Sequence, residues 1–358
     1  MNPKLIINLF KLRTNLDRLV DRCHAIGIKT AIVTKVFCAD ERICRMISES
    51  EADAFADSRV QNLAAIAELH SDKPTQLLRI SMQSEVEDVV RYADISMQSE
   101  KETIRLIGGA AKKLSKVHKI ILMVDMGDLR EGIFNTDEAQ IFSAAEAILA
   151  EPALEFHGIG VNLTCYGGII PDETNLGGLL AIADKLRKRY SVPLPIVSGG
   201  NSSMLTMLEE NRIPEGITHL RLGESFVLGN NTESGKPVEW LNTDCFTLEA
   251  ELVEVQRKPS KPIGTSGLNA FGERVTFEDR GEMIRGILAI GRQDVNPDGL
   301  TPLDPDVEII GASSDHLIVN LTNCKKYKVG DTLKFIPDYG ALLKLTTSKY
   351  VHREYAEQ

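Results

Sequence analysis

Lys29-Thr30-Ala31-Ile32-Val33-Thr34-Lys35 is the stretch from which the fold is read. It is a short β-rich run that ends in a lysine, and it is the first of a series. Similar runs at 53–57, 76–80, 93–97, 119–125, 157–163, 194–198 and 218–222 alternate with helical patterns such as 137–150 and 176–189. Alternation of strand and helix implies parallel strands, because a crossover must carry the chain back to the same edge. With the first run there are eight units, the number that closes a TIM-type (β/α)8 barrel.

The hexapeptide Ile-Ser-Met-Gln-Ser-Glu occurs at 80–85 and again at 95–100. Each copy reads as a strand end and a helix start, with Ser84–Glu87 and Ser99–Glu102 at capping-box spacing. After about residue 235 the texture changes. The runs 245–255, 283–290, 307–310, 317–321, 332–336 and 342–346 are β-rich and separated by Gly, Pro, Asn and Asp, with no helical pattern among them. Gly235-Lys236-Pro237 is the expected linker. The reading is therefore an α/β barrel over 1–235, followed by a C-terminal all-β domain over 236–358. Residues 4–9 add one strand that the barrel does not need and that can pair with the C-terminal sheet.

Composition fits this organisation. A chain of 358 residues suggests about two domains. With 43% hydrophobic and 26% charged residues it has material for a full core. A formal charge of −10 without a basic run argues against nucleic acid as a partner. The apolar stretches, such as 120–124, are too short to cross a bilayer, so no membrane is expected. The N-terminus lacks the apolar core of a signal peptide, and the six cysteines are scattered without a Cys-x-x-Cys pair. Reduced thiols in the cytoplasm are the expectation.

In a TIM barrel the chemistry lies where strands end and loops begin. Lys35 follows Ala31-Ile32-Val33-Thr34, so its amine is expected at the barrel mouth. A lysine desolvated there has a lowered pKa and can form a Schiff base; a lysine at a strand end can also simply snorkel. Ser198-Gly199-Gly200-Asn201-Ser202-Ser203 offers backbone amides and hydroxyls suited to a phosphate. Arg221-Leu222-Gly223-Glu224 follows the eighth strand, beside the usual phosphate position of this fold. A strand-one lysine with such a cradle suggests pyridoxal phosphate. Phosphosugar enzymes would use the same cradle, often with their lysine elsewhere. No cluster of metal ligands stands out.

The order of barrel, then β domain, with a lysine on the first barrel strand resembles the alanine racemase type of pyridoxal-phosphate enzyme, fold type III. The resemblance runs through Phe55-Ala56-Asp57-Ser58-Arg59, Met123-Val124-Asp125-Met126-Gly127-Asp128-Leu129-Arg130-Glu131-Gly132, Gly158-Ile159-Gly160-Val161-Asn162-Leu163-Thr164-Cys165-Tyr166-Gly167, Pro195-Ile196-Val197-Ser198-Gly199-Gly200-Asn201-Ser202-Ser203 and Gly311-Ala312-Ser313-Ser314-Asp315-His316. Within that type the chain is most similar to ornithine racemases. The resemblance implies that Lys35 carries pyridoxal 5'-phosphate and acts as one of two racemisation bases. It places Arg130 near the phenolic oxygen of the cofactor and Asn162 behind the pyridine ring. Asn201, Ser202, Gly223 and Glu224 fall on the phosphate, and Arg221 falls opposite the pyridine nitrogen. Related decarboxylases carry a glutamate at that last position. A carboxylate keeps the nitrogen protonated, whereas arginine has only donors and leaves it neutral. That suits brief removal and return of the α-proton and argues against decarboxylation.

The sequence also departs from the pattern. Val36-Phe37-Cys38-Ala39-Asp40 replaces the run that carries a phosphate-binding tyrosine, and Tyr339 is a possible substitute. Gly264-Thr265-Ser266-Gly267 offers no second-base tyrosine. His316 is the candidate second base, since its ordinary pKa suits proton transfer, and Cys38 is a second one. Asp315 matches an acidic residue that meets the distal amine of basic substrates in the decarboxylase relatives. The expected function is racemisation of a small-molecule amino acid, a basic one such as ornithine, by a homodimer with shared active sites. A decarboxylase of the same fold and a non-catalytic pyridoxal-phosphate carrier are the alternatives; the long β domain counts against the carrier.

Overall fold

The computed structural model describes residues 3–324 and 326–357. The chain divides into two compact units, residues 11–243 and residues 1–10 with 244–358. In chain order, β1 (Lys4–Asn8) and α1 (Leu9–His24) are followed by β2 (Lys29–Val33), α2 (Glu41–Ser48), β3 (Ala54–Asp57), α3 (Val60–Ala67), β4 (Thr75–Leu77) and α4 (Val86–Tyr92). Next come β5 (Ile95–Gln98), α5 (Lys101–Lys113), β6 (His118–Asp125), the two-residue β7 (Ile133–Phe134), α6 (Glu138–Leu149), β8 (Leu154–Gly160) and α7 (Glu173–Tyr190). The barrel unit is completed by β9 (Ile196–Ser198), α8 (Leu205–Glu209), β10 (His219–Leu222) and α9 (Glu224–Leu228).

Strands β2, β3, β4, β5, β6, β8, β9 and β10 pair in parallel in that order, and β10 pairs back onto β2, so eight strands of the described residues close a barrel. Each of the eight expected runs overlaps one of these strands. Side chains two apart share a face. Ala31 and Val33 of β2 meet Ala54 and Ala56 of β3, while Ile95 and Met97 of β5 meet Ile121 and Met123 of β6. These residues fill the interior. The alternate residues Ile32, Phe55, Ile120, Leu122 and Leu220 are fully buried as well, as strands covered on both faces require. The helices supply the cover through apolar stripes; α1 buries Leu12, Leu16, Leu19, Val20 and Cys23 at helical spacing.

The repeated hexapeptide does not mark two equivalent junctions. Its second copy contains β5, but its first begins after β4 has ended and runs into a 3₁₀ turn at Gln83–Glu85. The Glu85 carboxylate accepts from the Met82 amide at 3.2 Å and from Arg79 Nη2 at 3.1 Å. The helix after β5 has Glu100 at its N-cap without a side-chain bond. Ser84 and Ser99 therefore cap neither helix.

In the other unit, β11 (Phe246–Pro259), β12 (Glu282–Leu288), β13 (Leu300–Pro302), β14 (Glu308–Ala312), β15 (Leu317–Asn320) and β16 (Thr332–Pro337) form an antiparallel sheet in the order β13-β16-β11-β12-β15-β14. β1 pairs antiparallel with β11 and parallel with β17 (His352–Ala356), so the surplus N-terminal strand belongs to this sheet. A helix, α10 (Tyr339–Thr347), replaces the strand expected at 342–346. Asp338 caps it, accepting from the Ala341 amide at 2.7 Å, and Ala341, Leu342, Leu345 and Thr346 are buried at helical spacing. Residues 236–243 stay with the barrel for a specific reason. Asn15 of α1 accepts from the Asn242 amide at 2.7 Å and donates to the Asn242 carbonyl at 2.9 Å, and the Val238 amide donates to the Gly229 carbonyl at 2.9 Å.

Candidate active site

Lys35 opens a 3₁₀ turn at Lys35–Phe37, directly after β2 and Thr34. It stands just past the C-terminal end of β2, whose Ala31 and Val33 line the interior. Cys38 closes the turn in a left-handed conformation, with φ of 53°. The buried Asp57 carboxylate at the end of β3 pins this segment, accepting from Thr34 Oγ1 at 2.5 Å, from the Arg59 amide at 2.7 Å and from Asn62 Nδ2 at 3.0 Å. Burial pushes the Asp57 carboxyl above its usual range, while these three bonds and the Lys35 charge pull the other way.

The loop after β6 is shaped by Asp125, whose Oδ1 accepts from the amides of Gly127 at 2.8 Å and Leu129 at 3.2 Å. That turn presents Arg130. Asp128, itself buried, accepts from the amides of Tyr166 at 3.0 Å and Ile169 at 3.2 Å, and so ties this loop to the one after β8. The two loops bring Arg130 and Asn162 together. With the Asn162 carboxamide oxygen turned toward the guanidinium, Arg130 Nη2 donates to it at 2.6 Å. Arg130 also pairs with Glu131 at 2.5 Å. Partial burial works against the Arg130 charge, but Glu131 outweighs it and holds the pKa above the ordinary guanidinium value. Asn201 joins the group through Nδ2, which donates to the Leu163 carbonyl at 2.8 Å and lies 3.3 Å from Cys165 Sγ.

Beside it is the cradle. Ser202 Oγ accepts from the amides of Gly223 at 3.2 Å and Ser225 at 3.1 Å, and bonds Ser225 Oγ at 2.9 Å. Gly223 has no room for a side chain: a Cβ there would lie 3.0 Å from Val33 Cβ. Glu224 follows as the first residue of α9. Ser203 Oγ is fully buried and has no partner among the described residues. A buried hydroxyl left unpaired costs about 1–3 kcal/mol. An anion brought to this loop would satisfy it, so the donor set fits a phosphate.

Arg221 of β10 is buried, 3% exposed. Its Nη2 donates to the Val161 carbonyl at 2.7 Å and its Nη1 donates to Ser198 Oγ. Burial pushes its pKa down to about 10, which leaves it charged at neutral pH. Ser198 Oγ in turn lies 2.8 Å from Nδ1 of His219, a fully buried imidazole whose pKa burial lowers to about 3.

The remaining expected residues lie in the β unit. Asp315 and His316 are exposed in the loop between β14 and β15. The loop is held by the Arg292 amide on the Ser313 carbonyl and the Gln293 amide on the Ser314 carbonyl, both at 2.9 Å. Tyr339 is half-buried, the first residue of α10.

Residues 7–230 match the alanine racemase N-terminal domain. The chain belongs to the alanine racemase family. It is 48% identical over 355 residues to an ornithine racemase of Acetoanaerobium sticklandii, covering 99% of each chain. It is 38% identical over 353 residues to a lysine racemase of Thermotoga maritima, covering 99% of this chain and 98% of that one. An alanine racemase of Clostridium difficile 630 shares the fold with a TM-score of 0.76 at 16% identity, over 100% of this chain and 96% of that one. One of Streptomyces coelicolor A3(2) gives 0.75 at 18%, over 99% and 98%. In this member of the alanine racemase family, Glu131, Ser225 and His219 carry no role on sequence alone, and Ser198 and Ser203 enter only as part of the phosphate loop. For His219 a signal existed, because it lies two residues before Arg221 and so shares its face of β10.

Proposed function

We propose that this protein is a pyridoxal-phosphate-dependent racemase of basic amino acids, with ornithine or lysine as substrate. The buried, donor-only Arg221 at the barrel mouth is the observation that carries the chemistry, and the two full-length relatives support the substrate class. Pyridoxal phosphate, when bound, supplies an electron sink that weakens the Cα–H bond of an attached amino acid. Lys35 holds the cofactor and moves the α-proton on one face. Ser202, Ser203, Asn201, Gly223 and Glu224 would hold the phosphate. Arg130 would donate to the phenolic oxygen, Asn162 would stand on the ring side of the site, and Arg221 would donate to the ring nitrogen without protonating it.

The second base is His316, supplied by a second copy of the chain, with Asp315 beside it to meet the distal ammonium of the substrate. Every residue of the segment 261–281 is exposed, including Ile263, Leu268, Phe271 and Phe277. Apolar side chains displayed in this way support a covering partner and hence a homodimer with shared sites. No helix of the described residues is long and apolar enough to cross a membrane, and we place the enzyme in the cytoplasm.

Chiral chromatography tests the reading. L-ornithine and L-lysine incubated with holoenzyme should each yield the D form, and L-alanine far less. Asp315→Asn should raise KM for ornithine by about tenfold to a hundredfold, the weight of a charge-assisted hydrogen bond, with little change for an uncharged amino acid of similar length. Equal losses on both would remove Asp315 from substrate choice.

A further inference from the structure

The interior of β9 and β10 holds a polar chain that the proposed function does not use. Ile196 lines the barrel, so Ser198, two residues on, shares its face. His219 is the register partner of Ser198 on the neighbouring strand, and Arg221 follows it two residues later. Space for this group comes from β8. A Cβ on Gly160 would sit 3.2 Å from both Ser198 Cβ and Met123 Sδ.

The guanidinium sets the direction of the first bond in the chain. A guanidinium has only donors, so Ser198 Oγ must accept from Arg221 Nη1. Donation of the hydroxyl's own proton to His219 Nδ1, at 2.8 Å, completes the chain. In that arrangement His219 presents a lone pair at Nδ1 and carries its proton on Nε2. All three residues are buried, at 0% exposure for Ser198, 3% for Arg221 and 5% for His219.

We propose that Ser198 and His219 are positioning residues for Arg221, forming a one-way hydrogen-bond chain that fixes its guanidinium and keeps it a donor. Val161 holds the other terminal nitrogen at 2.7 Å, so the guanidinium is gripped at two points. Neither Ser198 nor His219 can pass a proton toward Arg221, because the chain ends on a nitrogen that only accepts. The ring-nitrogen partner is thereby kept from becoming an acid. This inference rests on the proposed place of Arg221 opposite the ring nitrogen.

The test combines a direct and a functional readout. Selective 15N-histidine labelling of the full-length holoenzyme at neutral pH should show His219 protonated on Nε2 and bare on Nδ1. A ring protonated on Nδ1, or on both nitrogens, overturns the proposal. Ser198→Ala and His219→Leu should each lower kcat by about tenfold or more, as losses of supporting hydrogen bonds do, with KM changed less than about threefold. Both should raise the ratio of abortive transamination to racemisation. His219→Asn places a carboxamide oxygen where Nδ1 stood and should restore both values to within about threefold. Unchanged kcat and partition in Ser198→Ala and His219→Leu, or no recovery in His219→Asn, contradicts the proposal. Arg221→Lys separates the two levels. If it too leaves the partition unchanged, the placement of Arg221 fails; if only Arg221→Lys moves it, the positioning chain alone fails.

Discussion

On the proposed function, Arg221 is the residue at which the reaction is controlled. Its site offers a carbonyl, Val161 O, and a hydroxyl that must accept, Ser198 Oγ. The carbonyl suits a cation and not a carboxylate, whereas the hydroxyl accepts from the guanidinium and would have to turn to donate to a carboxylate. Arg221→Glu would place a negative charge against the Val161 carbonyl while allowing the ring nitrogen of the cofactor to hold a proton. Racemisation should fall by about tenfold or more, and transamination per turnover should rise, read as loss of active cofactor during turnover. A variant with the parent rate and no cofactor loss would contradict this account of reaction control. Lys35, Arg130, Asn162, Asn201 and Ser202 can be singled out from sequence because each follows a recognisable strand end, and Arg221 because it lies among the last residues of one. The links around them cannot. That Ser198 joins Arg221 to His219 depends on the register of β9 against β10, which no single strand's sequence specifies.

At the scale of elements, α10 shows where pattern reading stops. Ala341-Leu342-Leu343-Lys344-Leu345 is an apolar run too short to distinguish strand from helix by periodicity. The deciding residue is Asp338, which caps the helix on the Ala341 amide at 2.7 Å. Asp338→Ala should destabilise the helix by about 1 kcal/mol, measured as a lower urea midpoint, whereas Asp338→Ser should largely retain the cap. Equal stability in Asp338→Ala would mean that burial of Leu342 and Leu345 alone specifies α10. The barrel strands were legible for the opposite reason. Their β-rich runs are bounded by turn residues and recur eight times, so an error in one boundary does not disturb the count. The barrel unit extends to residue 243, past the linker expected at 235–237, and the bonds of Asn15 to Asn242 that hold 236–243 there span more than two hundred residues of chain.

At the scale of the whole molecule, two buried histidines make stability depend on pH. His118 lies 2.8 Å from Ser96 Oγ, and burial lowers its pKa from 6.5 to about 4. Burial lowers that of His219 from 6.5 to about 3. The unfolded chain protonates both near 6.5, so below that pH it binds up to two more protons than the folded chain. The stability associated with neutral imidazoles is whole above about pH 6.5 and is lost as pH falls toward 4 and then 3. Thermal unfolding followed from neutral pH downward should show a falling midpoint across this window, with proton uptake on unfolding. A midpoint independent of pH there would contradict the buried neutral state of both rings.

The central claim is that the barrel mouth holds pyridoxal phosphate on Lys35. Borohydride reduction of the holoenzyme fixes a Schiff base as a stable secondary amine, and peptide mapping by mass spectrometry locates it. A phosphopyridoxyl group is expected on the peptide containing Lys35 and is expected to be absent from Lys35→Ala. Labelling of a different lysine, or none after reduction of a protein that binds the cofactor, would contradict that claim.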